Sequence, residues 1–406
     1  MVTSRPFYKE EEFATIEKFH LILGPACNMH CRHCSQTPIK NSCFPVSSEI
    51  NPDVMQLIEN FVKFCIMHEK TASGRLRKLV FWGGEPLLYW KTIQKVVSYI
   101  YEKYDVLQNN NFRFTMVSNG LLLNDEMIQF FNKYDVRFGL SYDAPYPFAV
   151  RGYISDEVCN KVRQLKRYAI HGTFNAYNCN TLLAHKCLQT KFPEAIDIDC
   201  SANLLRTFDM PKDIYDYDWD KVREEIKELR IASQLDDKFV LKFIGRFFFE
   251  NGRQDENGVN KSCMLGNNLL NTTLTGDVVA CYNCYDKLGT IYDPLAVLAE
   301  RSYERLKRMQ SPDCKTCRHL DICGGNRCVM NLQDEQHRFY ACHDFYWKFY
   351  DIVKEEFEKL LYPLTDEDLM WYYKKEEEMK EVIQQFLSEG QRYQEKMRQG
   401  EINGRK

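Results

Sequence analysis

Short apolar runs alternate with longer amphipathic segments from about residue 15 to residue 245. This alternation predicts strands separated by helices, as in a parallel α/β sheet. The predicted strands are Phe19–Leu23, Lys78–Trp82, Phe112–Ser118, Arg137–Ser141, His171–Ala176 and Ala195–Cys200. The predicted helices are Asp53–Glu69, Trp90–Tyr104, Asp125–Lys133, Asp156–Tyr168, Thr181–Thr190 and Asp220–Ser233. In such a fold we expect the functional groups at the carboxyl ends of the strands.

The pattern changes beyond residue 249. Gly, Asn and Asp accumulate between residues 250 and 261, which indicates a boundary. Residues 263–342 contain eight cysteines in a loop-rich stretch, and a helical pattern interrupted at Pro363 follows it. We therefore predict an N-terminal extension (1–14), an α/β domain (15–245), a cysteine-rich domain (246–345) and a helical segment (346–406).

Charge and composition exclude several classes of protein. The chain has 54 basic and 57 acidic residues, and its net charge of −3 does not favour binding to nucleic acid or to an anionic membrane. It has no apolar stretch of membrane-spanning length, and its first 18 residues are too charged for a signal peptide. Seventeen cysteines without an export signal favour metal binding in a reducing cytoplasm. Six of them are predicted to be buried small hydrophobes: Cys43, Cys65, Cys159, Cys179, Cys187 and Cys200.

Three cysteines follow the first predicted strand with the spacing Cys-x3-Cys-x2-Cys: Cys27, Cys31 and Cys34. Three thiolates would leave one iron of a [4Fe–4S] cluster open to a further ligand. The alternative is a zinc knuckle that includes His30 and His33. A second signature, Gly83-Gly84-Glu85-Pro86, closes the next predicted strand and favours the cluster.

Together the two signatures resemble the radical S-adenosylmethionine (radical SAM) enzymes. The resemblance, which covers about residues 15 to 345, implies a partial (β/α)6 TIM-type barrel that binds S-adenosylmethionine on the open iron. It also implies an external electron donor of the flavodoxin or ferredoxin type. The reduced cluster would cleave S-adenosylmethionine to methionine and a 5′-deoxyadenosyl radical, which takes a hydrogen atom from the substrate.

The resemblance also suggests residues that contact S-adenosylmethionine, although it assigns no catalytic residue. The segment Gly83–Pro86 would receive the methionine ammonium, because exposed carbonyls at a glycine pair can approach a ligand closely. For Ser141 and Asp143 ordinary turn chemistry is the alternative, and for Arg151, a candidate for the methionine carboxylate, it is a surface salt bridge. The backbone of His33 is a candidate contact for adenine. The full set is Gly83, Gly84, Glu85, Pro86, Ser118, Asn119, Ser141, Asp143, Arg151 and Asn175.

The later cysteines resemble the SPASM extension of radical SAM enzymes, which holds two auxiliary [4Fe–4S] clusters. One departure is that four residues, 324–327, stand before the sixth cysteine where the family has three. The resemblance assigns the inner cluster to Cys263, Cys281 and Cys328, and the outer cluster to Cys314, Cys317, Cys323 and Cys342. Either Cys284 completes the inner cluster, or an open iron there receives a substrate cysteine. A zinc ribbon over residues 314–328 is the structural alternative.

Three functions compete at this point. The first is a maturase that installs a carbon–carbon or thioether crosslink, or an oxidation, in a ribosomal peptide. Tyr282-Asn283 follows Cys281, which argues against the sulfatase branch, because that branch has an aspartate directly after this cysteine. Only 26 residues precede Cys27, so we expect no fused leader-binding domain; a separate leader-binding protein or direct recognition would replace it. The second is a radical dehydrogenase or rearrangement enzyme for a small molecule. The third is a metal-stabilised binding module without turnover, with about two zinc instead of about twelve iron.

Overall fold

The structure, a computed structural model, describes most of the α/β region and parts of the rest of the chain. The described residues are 8, 10–34, 36, 44–45, 47–68, 76–107, 111–152, 154–200, 212–235, 237, 240, 265–266, 268–309, 316–319 and 347–398. No helix within these ranges combines the length and apolarity needed to cross a membrane.

Nine strands form one sheet in the order β6-β5-β4-β3-β2-β1-β7-β8-β9. The strands from β6 to β7 in this order are parallel, and β8 and β9 continue the sheet antiparallel. Within the described residues the sheet stays open, which confirms the predicted partial barrel of α/β class. The strands are β1 Lys18–Ile22, β2 Arg77–Trp82, β3 Phe112–Ser118, β4 Arg137–Ser141, β5 Tyr168–His171, β6 Asp197–Asp199, β7 Leu269–Thr273, β8 Asp277–Cys281 and β9 Cys284–Thr290.

Ten α-helices lie in the described ranges, accompanied by short 3₁₀ turns such as Pro86–Tyr89. Several begin where a polar side chain caps a free backbone N–H group. Asn124 Oδ1 accepts from Met127 N at 2.9 Å, and Asn180 Oδ1 accepts from Leu183 N at 2.7 Å. The helices are α1 Pro52–Met67, α2 Trp90–Lys103, α3 Asp125–Lys133, α4 Pro147–Val150, α5 Asp156–Arg163, α6 Thr181–Lys191, α7 Trp219–Gln234, α8 Leu295–Met309, α9 Trp347–Glu358 and α10 Asp366–Arg398.

One predicted strand was wrong in its position. The sequence pattern placed the fifth strand at His171–Ala176 and extended the preceding helix to Tyr168, whereas β5 is Tyr168–His171 and α5 ends at Arg163. Tyr168, Ala169 and Ile170 are buried and pair with β4, so this apolar run forms the strand. The more polar residues after His171 leave the sheet and enter the site described below.

The two faces of β1 meet different surroundings. Phe19 and Leu21 belong to the main hydrophobic core, where Phe19 packs edge-on against Phe61 of α1. Because side chains alternate along a strand, His20 lies on the opposite face, and it contacts Trp82 at the end of β2. The helices therefore cover one side of the sheet, while the other side is the inner face of the partial barrel.

The strand β7 lies directly beside β1, with Lys18 opposite Leu269 and Ile22 opposite Thr273. Part of the range predicted as a cysteine-rich domain is thus hydrogen-bonded to the sheet of the barrel. Residues 241–264 lie outside the described part of the chain, so the division into domains stays a prediction.

The helices α9 and α10 pack against α7 around a buried arginine. Arg230 on α7 is 2% exposed, and its guanidinium contacts Glu356 on α9 at 3.3 Å and Asp368 on α10 at 2.9 Å. Glu356 is itself only 4% exposed. The arginine therefore neutralises a carboxylate that has almost no access to water.

We expect Arg230→Ala to lower the free energy of unfolding by about 3 kcal/mol, because the buried Glu356 carboxylate loses its buried partner and keeps the half-exposed Lys359 at 2.6 Å. Arg223→Ala is the matched control, since the Arg223–Glu355 pair joins the same two helices at the surface. The control should lose at most about 1 kcal/mol. Urea unfolding of both variants measures the difference, and equal losses would contradict this account of Arg230.

Candidate active site

The loop that carries the first three cysteines leaves the carboxyl end of β1 and runs against the loop after β2. Three backbone hydrogen bonds connect the two segments. Leu23 N donates to Trp82 O at 2.8 Å, Gly84 N donates to Gly24 O at 2.9 Å, and Glu85 N donates to Ala26 O at 2.8 Å. The two sequence signatures are therefore one structural unit.

The glycine pair is required by this close approach. A Cβ atom at Gly83 would lie 2.6 Å from Gly24 O, and one at Gly84 would lie 2.3 Å from Ala26 O. Gly83 also has a φ of +151°, which side-chain-bearing residues rarely adopt. The sequence analysis attributed the glycines to the approach of a ligand, and the structure adds the approach of the cysteine loop.

Glu85 joins this unit to the end of β3. Its carboxylate is 1% exposed and accepts hydrogen bonds from Ser118 Oγ at 2.7 Å, Asn119 N at 2.9 Å and Leu87 N at 2.9 Å. Burial raises the pKa of Glu85, although these three hydrogen bonds oppose the shift. The carboxylate thus fixes the loops after β2 and β3 relative to each other.

Asn119 extends the connection back to the cysteine loop. Its Nδ2 atom donates to Asn28 Oδ1 at 2.8 Å, and its Oδ1 atom accepts from Leu121 N at 3.0 Å. Asn28 directly follows Cys27 in the sequence. The polar residues at the end of β3 therefore position the first cysteine.

A buried network of charged and polar groups follows β4. Arg151 Nε donates to Asp143 Oδ2 at 2.9 Å, and Thr173 N donates to Asp143 Oδ1 at 2.7 Å. Arg151 Nη2 lies 3.2 Å from His33 Nε2, and Arg151 Nη1 lies 3.9 Å from Cys31 Sγ. The guanidinium thus stands between a buried carboxylate and the cysteine loop.

Burial and the charge of Arg151 determine the protonation states of Asp143 and His33. Burial alone would raise the pKa of Asp143, but the Arg151 charge and the hydrogen bonds from Arg151 and Thr173 N together outweigh burial and hold that pKa below its usual range. Burial lowers the pKa of His33 to about 4, so its ring is neutral at neutral pH. Its Nδ1–H then donates to Val150 O at 3.4 Å and its Nε2 accepts from Arg151, and the 3.6 Å approach to Asp143 is no ion pair.

A cavity of about 440 Å³ unites these elements inside the partial barrel. Of the predicted site residues it is lined by Cys27, Cys31, Cys34, Gly83, Gly84, Glu85, Ser118, Asn119, Ser141 and Arg151. Pro86, Asp143 and Asn175 do not line it. Pro86 begins the 3₁₀ turn after β2, and Asp143 acts through Arg151. Asn175 Oδ1 accepts from Tyr177 N and Asn178 N, which makes it part of a turn.

Further residues complete the wall without having been predicted. They are Met29, Gln36, Trp82, Val117, His171, Gly172, Thr173, Asp199, Tyr282 and Asn283, besides His33. Trp82 and Asp199 end strands, a position that could have identified them from the sequence. Gly172 and Thr173 were hidden by the misplaced fifth strand. Tyr282 and Asn283 reach the cavity only because β7 pairs with β1. The local sequence pattern does not predict that pairing.

The three cysteines fit a cluster. All three line the cavity and are partly exposed. Burial raises the pKa of the Cys31 thiol, and the Arg151 charge opposes this. Among the described residues no three Cys, His, Asp or Glu side chains converge closely enough to hold a single metal ion. Three cysteines of one loop that face the cavity are the donor set that a [4Fe–4S] cluster with one open iron would use.

Of the predicted auxiliary ligands, the structure describes Cys281 and Cys317, both partly exposed. Cys281 ends β8, where Asn283 N donates to its Sγ at 3.4 Å. The ligands outside the described residues are Cys263, Cys314, Cys323, Cys328 and Cys342, together with the side chain of Cys284. The prediction of buried bystander thiols is confirmed at Cys65, Cys159, Cys179, Cys187 and Cys200, while Cys43 lies outside the described residues.

Comparisons with known proteins agree with this architecture. Residues 21–181 match the model of the Radical SAM superfamily. Over 336 residues the chain is 22% identical to the radical SAM cyclopropyl synthase TigE of Paramaledivibacter caminithermalis, covering 76% of this chain and 67% of that protein.

Two solved structures share the fold. One is anSMEcpe with bound AdoMet, with a TM-score of 0.58, 17% identity, and coverage of 85% of this chain and 97% of that chain. The other is Streptococcus suis SuiB bound to the precursor peptide SuiA, with a TM-score of 0.52, 13% identity, and coverage of 79% and 74%. The resemblance recognised in the sequence is confirmed over residues 21–181, which match the Radical SAM superfamily, and the fold shared with the two solved structures agrees with it.

Gly84→Ala should disturb the cysteine loop, because the added methyl group meets the Ala26 carbonyl. We expect less iron at the three-cysteine site after reconstitution and weaker binding of S-adenosylmethionine. Leu88→Ala, an exposed position 45% accessible in the adjoining turn, is the control and should keep both. Iron analysis and calorimetry measure the effect. Normal iron and affinity in Gly84→Ala would show that the two loops can separate without consequence.

Removing one member of the Asp143–Arg151 pair should destabilise the fold more than removing both. Asp143→Asn leaves a buried guanidinium unpaired, at a cost of roughly 3–5 kcal/mol, and Arg151→Met leaves a buried carboxylate. The double variant leaves neither charge, so its unfolding free energy should exceed that of each single variant. Additive losses in denaturant unfolding would mean that the two residues act independently.

Proposed function

We propose that this enzyme is a radical SAM maturase of the SPASM type that modifies a peptide. The observation that carries the proposal is the single cavity lined by the three cysteines, by the glycine pair and by polar residues at the ends of β3 and β4. In this proposal the chemistry supplied by a bound cluster is reductive cleavage of S-adenosylmethionine to methionine and a 5′-deoxyadenosyl radical, which takes hydrogen from the substrate.

The residues of the chain then have separate tasks. Cys27, Cys31 and Cys34 hold the cluster, and the bonded loops after β1 and β2 keep their spacing. Arg151 places a positive charge 3.9 Å from Cys31 Sγ, where it offsets the negative charge of the thiolate. The three cysteines are partly exposed, so a peptide bound over the cavity would exclude water from the reacting groups, which protects a radical from side reactions.

A peptide substrate is supported by the peptides bound in two of the similar structures. SuiB has been solved with its precursor peptide SuiA, and anSMEcpe has been solved with a Cp18Cys peptide. The crosslink or oxidation formed here, and the use of a separate leader-binding protein, belong to the proposal. An external flavodoxin or ferredoxin would supply the electron in a reducing cytoplasm.

The position of Cys281 supports an auxiliary cluster near the substrate. Cys281 ends β8, and the two residues that follow it, Tyr282 and Asn283, line the cavity. In the proposed division, residues 246–345 are the SPASM domain, with inner ligands Cys263, Cys281 and Cys328. The outer cluster would use Cys314, Cys317, Cys323 and Cys342, and Cys284 is the candidate fourth inner ligand.

Replacing Cys27, Cys31 and Cys34 together by Ala should remove about four iron per chain. It should also abolish formation of 5′-deoxyadenosine under reducing conditions. Cys65→Ala, which removes a buried thiol far from these ligands in the sequence, is the control and should keep its iron. Iron and sulfide analysis with chromatography of the nucleoside gives both readouts. Undiminished 5′-deoxyadenosine from the triple variant would overturn the proposed function.

A further inference from the structure

Asn283 has a buried hydrogen-bond acceptor that nothing in the described part of the protein satisfies. Its side chain is 5% exposed and lines the cavity, and its Oδ1 atom has no partner there. We propose that Asn283 Oδ1 accepts a hydrogen bond from a backbone N–H of the peptide substrate. The inference rests on the proposed function and adds to it the residue that receives the peptide.

The turn that carries Asn283 is held firmly over the inner face of the sheet. The Tyr282 ring packs at a tilt against His20, with 4.4 Å between ring centroids, and contacts Trp82 edge-on at 4.9 Å. His20 Nδ1 in turn bonds Asn271 Oδ1 at 2.9 Å. These contacts join the turn to β1, β2 and β7, so Asn283 keeps its place in the cavity wall.

The local backbone gives no reason for an asparagine at this position. Cys281 pairs with Cys284, so Tyr282 and Asn283 form a two-residue turn, where asparagine is often used for its tolerance of positive φ. In the described residues only Tyr8 and Asp135 among non-glycine residues have positive φ. Since a buried acceptor without a partner costs about 1–3 kcal/mol, the residue requires another explanation, and a bound donor provides one.

The surroundings favour a neutral donor. A cationic donor would need a compensating negative charge, because an unpaired buried charge is strongly unfavourable. The Glu85 carboxylate accepts three hydrogen bonds from the protein, and the Asp143 carboxylate is paired with Arg151. Asp199, the other carboxylate of the cavity wall, ends β6, at the opposite edge of the sheet from the β8–β9 turn. Two neutral donors fit the proposed chemistry: a peptide N–H and the adenine amino group of S-adenosylmethionine.

The order of the strands separates these two donors. The predicted contacts for S-adenosylmethionine lie mostly in loops after β2, β3 and β4, on one side of β1 in the sheet. Asn283 belongs to the β8–β9 turn, and these strands lie on the other side of β1. The acceptor therefore belongs to a region of the cavity away from the adenosyl group, and a peptide N–H is the donor that we assign to it.

Two small probes test the assignment on the reconstituted enzyme with S-adenosylmethionine bound. N-acetylproline N-methylamide contains one peptide N–H, which N-acetylproline methyl ester replaces with an oxygen atom. Saturation-transfer NMR should show the amide binding about tenfold better than the ester, as expected for one net hydrogen bond. Asn283→Ala should abolish this preference, and Asn283→Asp, which keeps an acceptor oxygen, should retain it. No preference in the wild type, or an undiminished preference in Asn283→Ala, would overturn the inference.

Calorimetry with S-adenosylmethionine tests whether the donor to Asn283 is instead the adenine amino group. Its affinity for Asn283→Ala should stay within about twofold of the wild type, whereas a tenfold loss, the size of one hydrogen bond, would assign Asn283 to adenine and overturn the inference. The same wild-type preparation is assayed for 5′-deoxyadenosine. Absence of the nucleoside would contradict the proposed function itself. Its presence without an amide preference would contradict only the assignment of Asn283. An absent preference in the wild type overturns that assignment even if Asn283→Ala does not fold.

Discussion

The contact between the loops after β1 and β2 is the constraint on which the site depends. Gly84 N donates to Gly24 O, and Glu85 N donates to Ala26 O. These bonds bring the two backbones so close that a Cβ atom at Gly83 or Gly84 would clash with the cysteine loop. The first of these loops leads directly to Cys27, and the second carries Glu85 toward β3. Because the contact uses backbone atoms and glycines, it fixes the cysteine loop without occupying the cavity with side chains.

Buried polar groups connect these two loops with the residues at the ends of β3 and β4. Glu85 connects the loop after β2 with the end of β3, and Asn119 connects β3 back to the residue after Cys27. The network after β4 reaches the same loop from another side, through Arg151 and His33. Buried polar groups of this kind are unfavourable unless satisfied, so the network allows few arrangements of the cysteines.

Much of this could be predicted from local sequence. The alternating pattern gave the bounds of β3 and β4 correctly, and the cysteine spacing and Gly83–Pro86 singled out two loops that the structure brings together. The failures have physical causes. The run Tyr168–Ile170 fits a helix end or a strand equally well, and only its pairing with β4 decides between them.

Long-range pairing was beyond the reach of such patterns. β7 is separated from β1 by about 250 residues, yet the two are neighbours, and their pairing brings Tyr282 and Asn283 to the cavity. The role of Asp143 was likewise hidden, because it holds Arg151 and does not face the cavity itself. Site residues at strand ends are thus predictable, whereas those supplied by distant pairing or acting through a neighbour are not.

The central claim is that S-adenosylmethionine binds directly to a cluster held by Cys27, Cys31 and Cys34. Electron–nuclear double resonance on the reduced, reconstituted enzyme with S-adenosylmethionine labelled with ¹⁵N at the methionine amine tests it most directly. The account predicts a hyperfine coupling between that nitrogen and the cluster, which disappears when the three cysteines are replaced. A reduced three-cysteine cluster with no coupling to the labelled nitrogen would contradict it.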